Sequence, residues 1–93
     1  MVFTGKGIVF FQLAATASAL HIEVDTNLHH SRGSVLKAAK RNFGVVSNTK
    51  KGAVKELDAM IEGMTNAKHG LPPVKRYPGG AWIHAAYMRG YDL

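Results

Sequence analysis

Apolar residues crowd the first twenty positions, from Ile8-Val9-Phe10-Phe11 through Leu13 to Leu20. The strongly apolar run, Ile8 to Leu13, spans six residues with Gln12 inside it, far short of the about 20 that a membrane helix needs. Gly7 to Leu13 therefore reads as a buried strand or short helix, and the small residues after it as a turn or tightly packed connection. Leu20-His21-Ile22-Glu23-Val24-Asp25-Thr26 then alternates apolar and polar side chains. A period of two puts Leu20, Ile22 and Val24 on one face and predicts a half-buried strand. Thr26-Asn27 breaks the pattern.

From Ser31 the period becomes helical. Val35, Leu36, Ala39 and Phe43 fall on one side of a helix with Ser31 or Ser34 as its N-cap, and Gly44 is placed to end it as the C′ residue. Ser47-Asn48-Thr49 offers a second cap cluster. A second helix is predicted from Lys50 to about Met64, with Ala53, Val54, Leu57, Met60 and Ile61 as its apolar side and Gly63 and Asn66 weakening its end. His69 to Gly80 holds Gly70, Pro72-Pro73, Pro78 and Gly79-Gly80 and reads as a stiff irregular linker. A last helix is predicted from Ala81 to Arg89, with Gly90 as its cap. The pattern as a whole predicts one α+β domain over residues 1–93: a short N-terminal apolar strand region (1–26), a basic two-helix unit (31–64), the Pro/Gly linker (69–80) and a C-terminal helix (81–90).

A domain of 93 residues buries only roughly 60–65% of its unfolded surface, which leaves little room for a deep substrate pocket. Charge adds more. Lys and Arg number 12 against 6 Asp and Glu, a net +6, and such an excess favours polyanionic partners. From Thr26 to Lys55 there is no acidic residue, while Arg32, Lys37, Lys40, Arg41, Lys50, Lys51 and Lys55 are all basic. Lys37 and Arg41, four apart, share one helix face with Lys40 beside them, and Lys51 and Lys55 repeat the spacing on the second helix. Lys50 and Lys51 fall in a first turn, where the helix dipole disfavours cations; with the backbone of Asn48 and Thr49 they suit a phosphate. The expected nucleic-acid-binding set is Arg32, Lys37, Lys40, Arg41, Asn48, Thr49, Lys50, Lys51 and Lys55, with double-stranded DNA as ligand. An acidic partner protein is the alternative.

The chain has no cysteine, which excludes disulfides, thiolate catalysis, iron–sulfur clusters and Cys-based zinc sites. His29-His30, with His21 and Asp25 nearby, invites a metal. Adjacent histidines, however, diverge on a strand and lie about 100° apart on a helix. No metal site and no cofactor is expected. Glu56, Asp58 and Glu62 read as solvated positions on the second helix, and Gly5-Lys6-Gly7 lacks the spacing of a phosphate loop. Nothing arranges Ser, His and Asp as a triad, so the expectation is a non-enzymatic protein. Trp82, Tyr87, Arg89 and Tyr91 serve either as core or as a partner-binding surface of hot-spot residue types. Lys6, the apolar stretch and the small residues Ala15 to Ala19 follow the layout of a weak secretory signal; the expected location is nonetheless the cytoplasm, without membrane insertion.

The order of an alternating strand (Leu20–Thr26), a short helix (Ser34–Phe43), a turn at Gly44 and a second helix opening with Thr49-Lys50-Lys51-Gly52-Ala53-Val54 resembles the ribbon-helix-helix DNA-binding family, including the antitoxins of that fold. The resemblance covers about half of the chain and rests on pattern. It implies a homodimer whose paired ribbons enter the major groove, with Lys50, Lys51 and the backbone of Asn48 and Thr49 anchoring phosphates. It also implies a role in transcription regulation, as in a phage or an antitoxin, with a C-terminal extension that wraps a toxin. Val35 to Met60 is similar as well to the SAP and helix-extension-helix modules, two basic helices joined by a Gly-containing hinge, which also bind DNA.

Overall fold

The computed structural model describes residues 5–26 and 34–93. Its elements are four α-helices: α1 (Gly5–Thr26), α2 (Ser34–Phe43), α3 (Lys50–Lys68) and α4 (Ala81–Asp92). No strand occurs among the described residues, so the expected α+β class gives way to an all-helical one. The predicted strand at Leu20–Thr26 is the last part of α1. Its alternation is short, whereas Leu13, Ala17 and Leu20 recur at i, i+4 and i+7 over a longer stretch and are all buried. Leu20 is fully enclosed while Ile22 is 55% exposed, as helical geometry requires of residues about 200° apart. The alanines read as a turn are the best helix formers, and they carry α1 through in one piece. The ribbon of the ribbon-helix-helix arrangement thus has no counterpart at those positions.

Helix α3 is the centre of the molecule, with α1, α2 and α4 packed on it. Its buried side consists of Ala53, Glu56, Leu57, Ala59, Met60, Gly63 and Met64. Against this lie Leu13, Ala17 and Leu20 of α1, Ala39 of α2, Val45 of the α2–α3 loop, and Ile83, Ala86 and Tyr87 of α4. Helix α2 ends as predicted: Gly44 adopts φ 71° and its N–H donates to the Lys40 carbonyl at 3.1 Å. Helix α3 runs four residues past the predicted end at Met64. It stops in a Schellman motif, where Leu71 N–H donates to the Asn66 carbonyl at 2.9 Å and Gly70 N–H to that of Ala67 at 3.1 Å. Gly70 supplies the φ of 71° that this motif demands.

Two glycines set the α3–α4 crossing. A Cβ on Gly63 would lie 2.2 Å from the Tyr87 carbonyl oxygen, and one on Gly90 would lie 2.1 Å from that of Met60. The helices meet backbone to backbone there. Gly63 therefore does not weaken the end of α3, and Gly90 does not cap α4; both sit inside continuous helices because only a missing side chain permits this approach.

The Pro/Gly linker is strapped down by aromatic residues. Tyr87, completely buried, stacks on Tyr77 at 5.2 Å between ring centroids and on His84 at 6.3 Å. Its hydroxyl accepts hydrogen bonds from Asn66 Nδ2 at 2.7 Å and from Val74 N–H at 3.3 Å. Tyr77 N–H donates to His84 Nδ1 at 3.0 Å. Among the described residues no helix is long and apolar enough to cross a membrane.

Candidate nucleic-acid interface at the α2–α3 corner

The start of α3 is built by its cap. Thr49, in extended conformation, accepts from Gly52 N–H through Oγ1 at 3.0 Å, the contact expected of an N-cap threonine. Ser47 Oγ accepts from Thr49 N–H at 3.3 Å and crowds Gly52, whose Cβ would lie 2.0 Å from that oxygen. The Thr49 hydroxyl therefore already serves the helix-start N–H of Gly52.

Glu56 departs most from expectation. It reads as solvated in the sequence, yet it is fully buried, because position 56 faces the same side of α3 as Ala53, Met60 and Gly63. Its Oε1 accepts from Val46 N–H at 3.2 Å and its Oε2 from Ser47 N–H at 2.9 Å. Arg89 of α4 approaches Oε1 with Nη2 at 3.5 Å, while its Nε is buried without a hydrogen-bond partner among the described residues. The carboxylate holds the α2–α3 loop against α3, a use of charged hydrogen bonds that satisfies backbone donors in a dry setting.

With the loop fixed, the basic residues fall into place. Lys40 Nζ donates to Asn48 Oδ1, tying the last turn of α2 to the residue preceding the α3 cap. Lys37 and Arg41 are exposed on α2, as are Lys51 and Lys55 on α3, whereas Lys40 and Lys50 are half-buried. Asn48 and Thr49 are exposed between the helices. Arg32 lies outside the described residues. Further along the same face of α3 the sign changes: Asp58 pairs with His21 of α1 at 3.1 Å, and Glu62 is exposed. The cationic region thus belongs to the corner and not to the whole helix.

The aromatic and basic residues of α4 do not form one outward patch. Trp82 is 41% exposed and Tyr87 is core, Arg89 reaches Glu56, and the Tyr91 hydroxyl donates to the Leu71 carbonyl. Arg89 instead joins the corner, where its Nε would stand 3.9 Å from a Cβ on Gly44. Nothing local in the sequence places it there, because 33 residues separate it from Glu56. Three further cations lie outside the expected set: Lys75 and Arg76, both exposed on the linker, and Lys68, whose ammonium lies 6.0 Å from the Phe10 ring centroid.

His29 and His30 lie outside the described residues, and among those described no group of three or more His, Asp or Glu could hold a metal. A cleft of about 350 Å³ between Lys55, Asp58, Tyr77 and Ile83 opens widely to solvent beside the corner. Comparison with protein-family models, with curated proteins and with solved structures finds no match to this chain.

Proposed function

We propose that this chain is a small, non-enzymatic, cytoplasmic protein that binds double-stranded DNA through the α2–α3 corner, in a regulatory or architectural role. Support comes from how charge is sorted there. The cations Lys37, Arg41, Lys51 and Lys55 face outward, while the nearest acidic residue in sequence, Glu56, is fully buried and spent on loop amides. An ordinary solvated surface mixes signs; here Lys37, Arg41, Lys51 and Lys55 stand exposed together, a cluster suited to an anion. The α2–α3 unit retains what the SAP and helix-extension-helix modules share, two basic helices about a glycine-containing turn.

Phosphate contacts position such a protein on a duplex without reading sequence. Asn48 and Thr49, exposed between the two cationic faces, are the uncharged hydrogen-bonding groups best placed to meet the backbone or a base edge. The test is fluorescence anisotropy with a labelled mixed-sequence duplex. Lys51→Glu combined with Lys55→Glu weakens binding at least tenfold at low salt, whereas Trp82→Ala leaves it unchanged. If neither pair reversal, here or at Lys37 and Arg41, changes affinity, the corner is not the DNA surface. If wild type ignores DNA altogether, the basic corner docks on an acidic partner protein instead.

A further inference from the structure

Helix α1 presents two apolar faces, of which one is buried and the other largely exposed. Leu13, Ala17 and Leu20 face α3 and are buried. On the opposite side Ile8, Phe11 and Ile22 are 47%, 76% and 55% exposed, with Ala15 and Ser18 exposed between them. The spacing of Ile8, Phe11, Ala15, Ser18 and Ile22 alternates 3, 4, 3, 4. At about 100° per residue these five positions share an arc of roughly 80°, a narrow seam with a seven-residue repeat. None of the five is charged.

We propose that this seam pairs with α1 of a second copy of the chain, antiparallel, about a two-fold axis at Ala15. The argument is one of shape. Under that axis Ile8 opposes Ile22 of the other copy, Phe11 opposes Ala19 with Ser18 beside it, and Ala15 opposes itself. The Phe11 ring, the largest group of the seam, then meets the small Ser18 and Ala19 side chains, and Ala15 against Ala15 lets the two helices approach closely at the axis. A parallel pair would instead set Phe11 against Phe11 and Ser18 against Ser18. A lipid surface calls for a broad apolar face with basic flanks, and the seam is narrow with small residues at its middle.

Area sets the strength. The three large side chains leave roughly 350 Å² per chain in water, hence about 700 Å² over two copies. Ala15, Ser18 and the flanking Gln12 and Ala19 bring the pair toward the ~1,200 Å² at the low end of specific interfaces. The dimer is therefore weak and concentration-dependent, with each copy folded by itself.

The test is sedimentation velocity of the full chain from ~5 to ~500 µM. Wild type shifts from monomer to dimer over that range; Phe11→Glu stays monomeric with unchanged helical circular dichroism. Because the chain has no cysteine, single substitutions report the geometry cleanly. Ala15→Cys cross-links to itself on mild oxidation, and Ile8→Cys cross-links to Ile22→Cys but not to itself. Wild type that remains monomeric at the highest concentration overturns the proposal, as does an Ile8→Cys self-cross-link that outpaces the mixed one. Co-sedimentation with anionic phosphatidylserine vesicles, lost in Phe11→Glu and seen without any dimer in solution, would reassign the face to lipid. Phe11→Glu leaves every lysine of the α2–α3 corner in place, so loss of the dimer and loss of DNA binding are separately visible.

Discussion

Replacing Gly90 by alanine should destabilise the fold although it improves helix propensity. The added methyl would stand 2.1 Å from the Met60 carbonyl oxygen and 2.6 Å from its carbonyl carbon and Cα. These are backbone atoms of a helix and cannot swing aside. Ordinary contact lies near 3.5 Å, so α4 must withdraw from α3 by more than about 1 Å. A gap of that size forfeits a quarter to a half of the local dispersion energy. Ile83 and Tyr87 on α4, and Leu57 and Met60 on α3, are all essentially buried, each worth roughly 2–3 kcal/mol. The loss is then about 3–5 kcal/mol, offset by about 1 kcal/mol from removing a helical glycine. The net cost of about 2–4 kcal/mol lowers the melting temperature of a domain this size by roughly 10–25 °C. Urea and thermal unfolding followed by circular dichroism measure both. Gly52→Ala is the control: its Cβ meets only side-chain atoms of the exposed cap, the Ser47 hydroxyl at 2.0 Å and Ser47 Cβ and Thr49 Oγ1 at 3.0 Å, which yield more readily than helix backbone, so its cost is smaller. If Gly90→Ala were as stable as wild type or more so, the helices do not cross at Gly63 and Gly90.

Glu56→Gln keeps one acceptor for the loop amides but turns an NH₂ group toward the other N–H, so it costs about 2–3 kcal/mol in denaturant unfolding; a neutral result would mean that Glu56 does not hold the loop. The Tyr77 phenol titrates above its ordinary 10.0, chiefly because burial penalises the phenolate and further because Glu62, Asp58 and Tyr87 lie nearby. The folded state therefore favours the protonated phenol, and its stabilising effect is full below the unfolded value and lost as pH rises toward and through the folded one. Ultraviolet phenolate titration should show Tyr77→Phe removing a transition above 10.0, and loss of a transition at or below that value would contradict the packing described for the linker.

The two helices of the corner are legible in the sequence because their signals are local: Gly44 at a helix end, Thr49 at a helix start, and i, i+4 cations on both faces. What escapes local reading depends on partners far along the chain. The alternation at Leu20–Thr26 looks like a strand until Leu13 and Ala17 are seen to extend the same buried stripe. Gly63 and Gly90 look like terminators because nothing in either segment reveals the opposing backbone. Glu56 looks solvated because its amide partners lie in the preceding loop and its arginine at position 89. The seam on α1 is hidden for another reason: a helix apolar on most sides gives no indication of which face the core will take.

The most direct test of the corner as a DNA-binding surface is the salt dependence of binding to a mixed-sequence duplex. Four exposed cations, Lys37, Arg41, Lys51 and Lys55, each neutralising one phosphate, predict a slope of log affinity against log salt near −3.6, at about −0.9 per contact. A measured slope between roughly −3 and −5 agrees with that geometry. Absence of binding at low salt, or an affinity indifferent to salt, would contradict it.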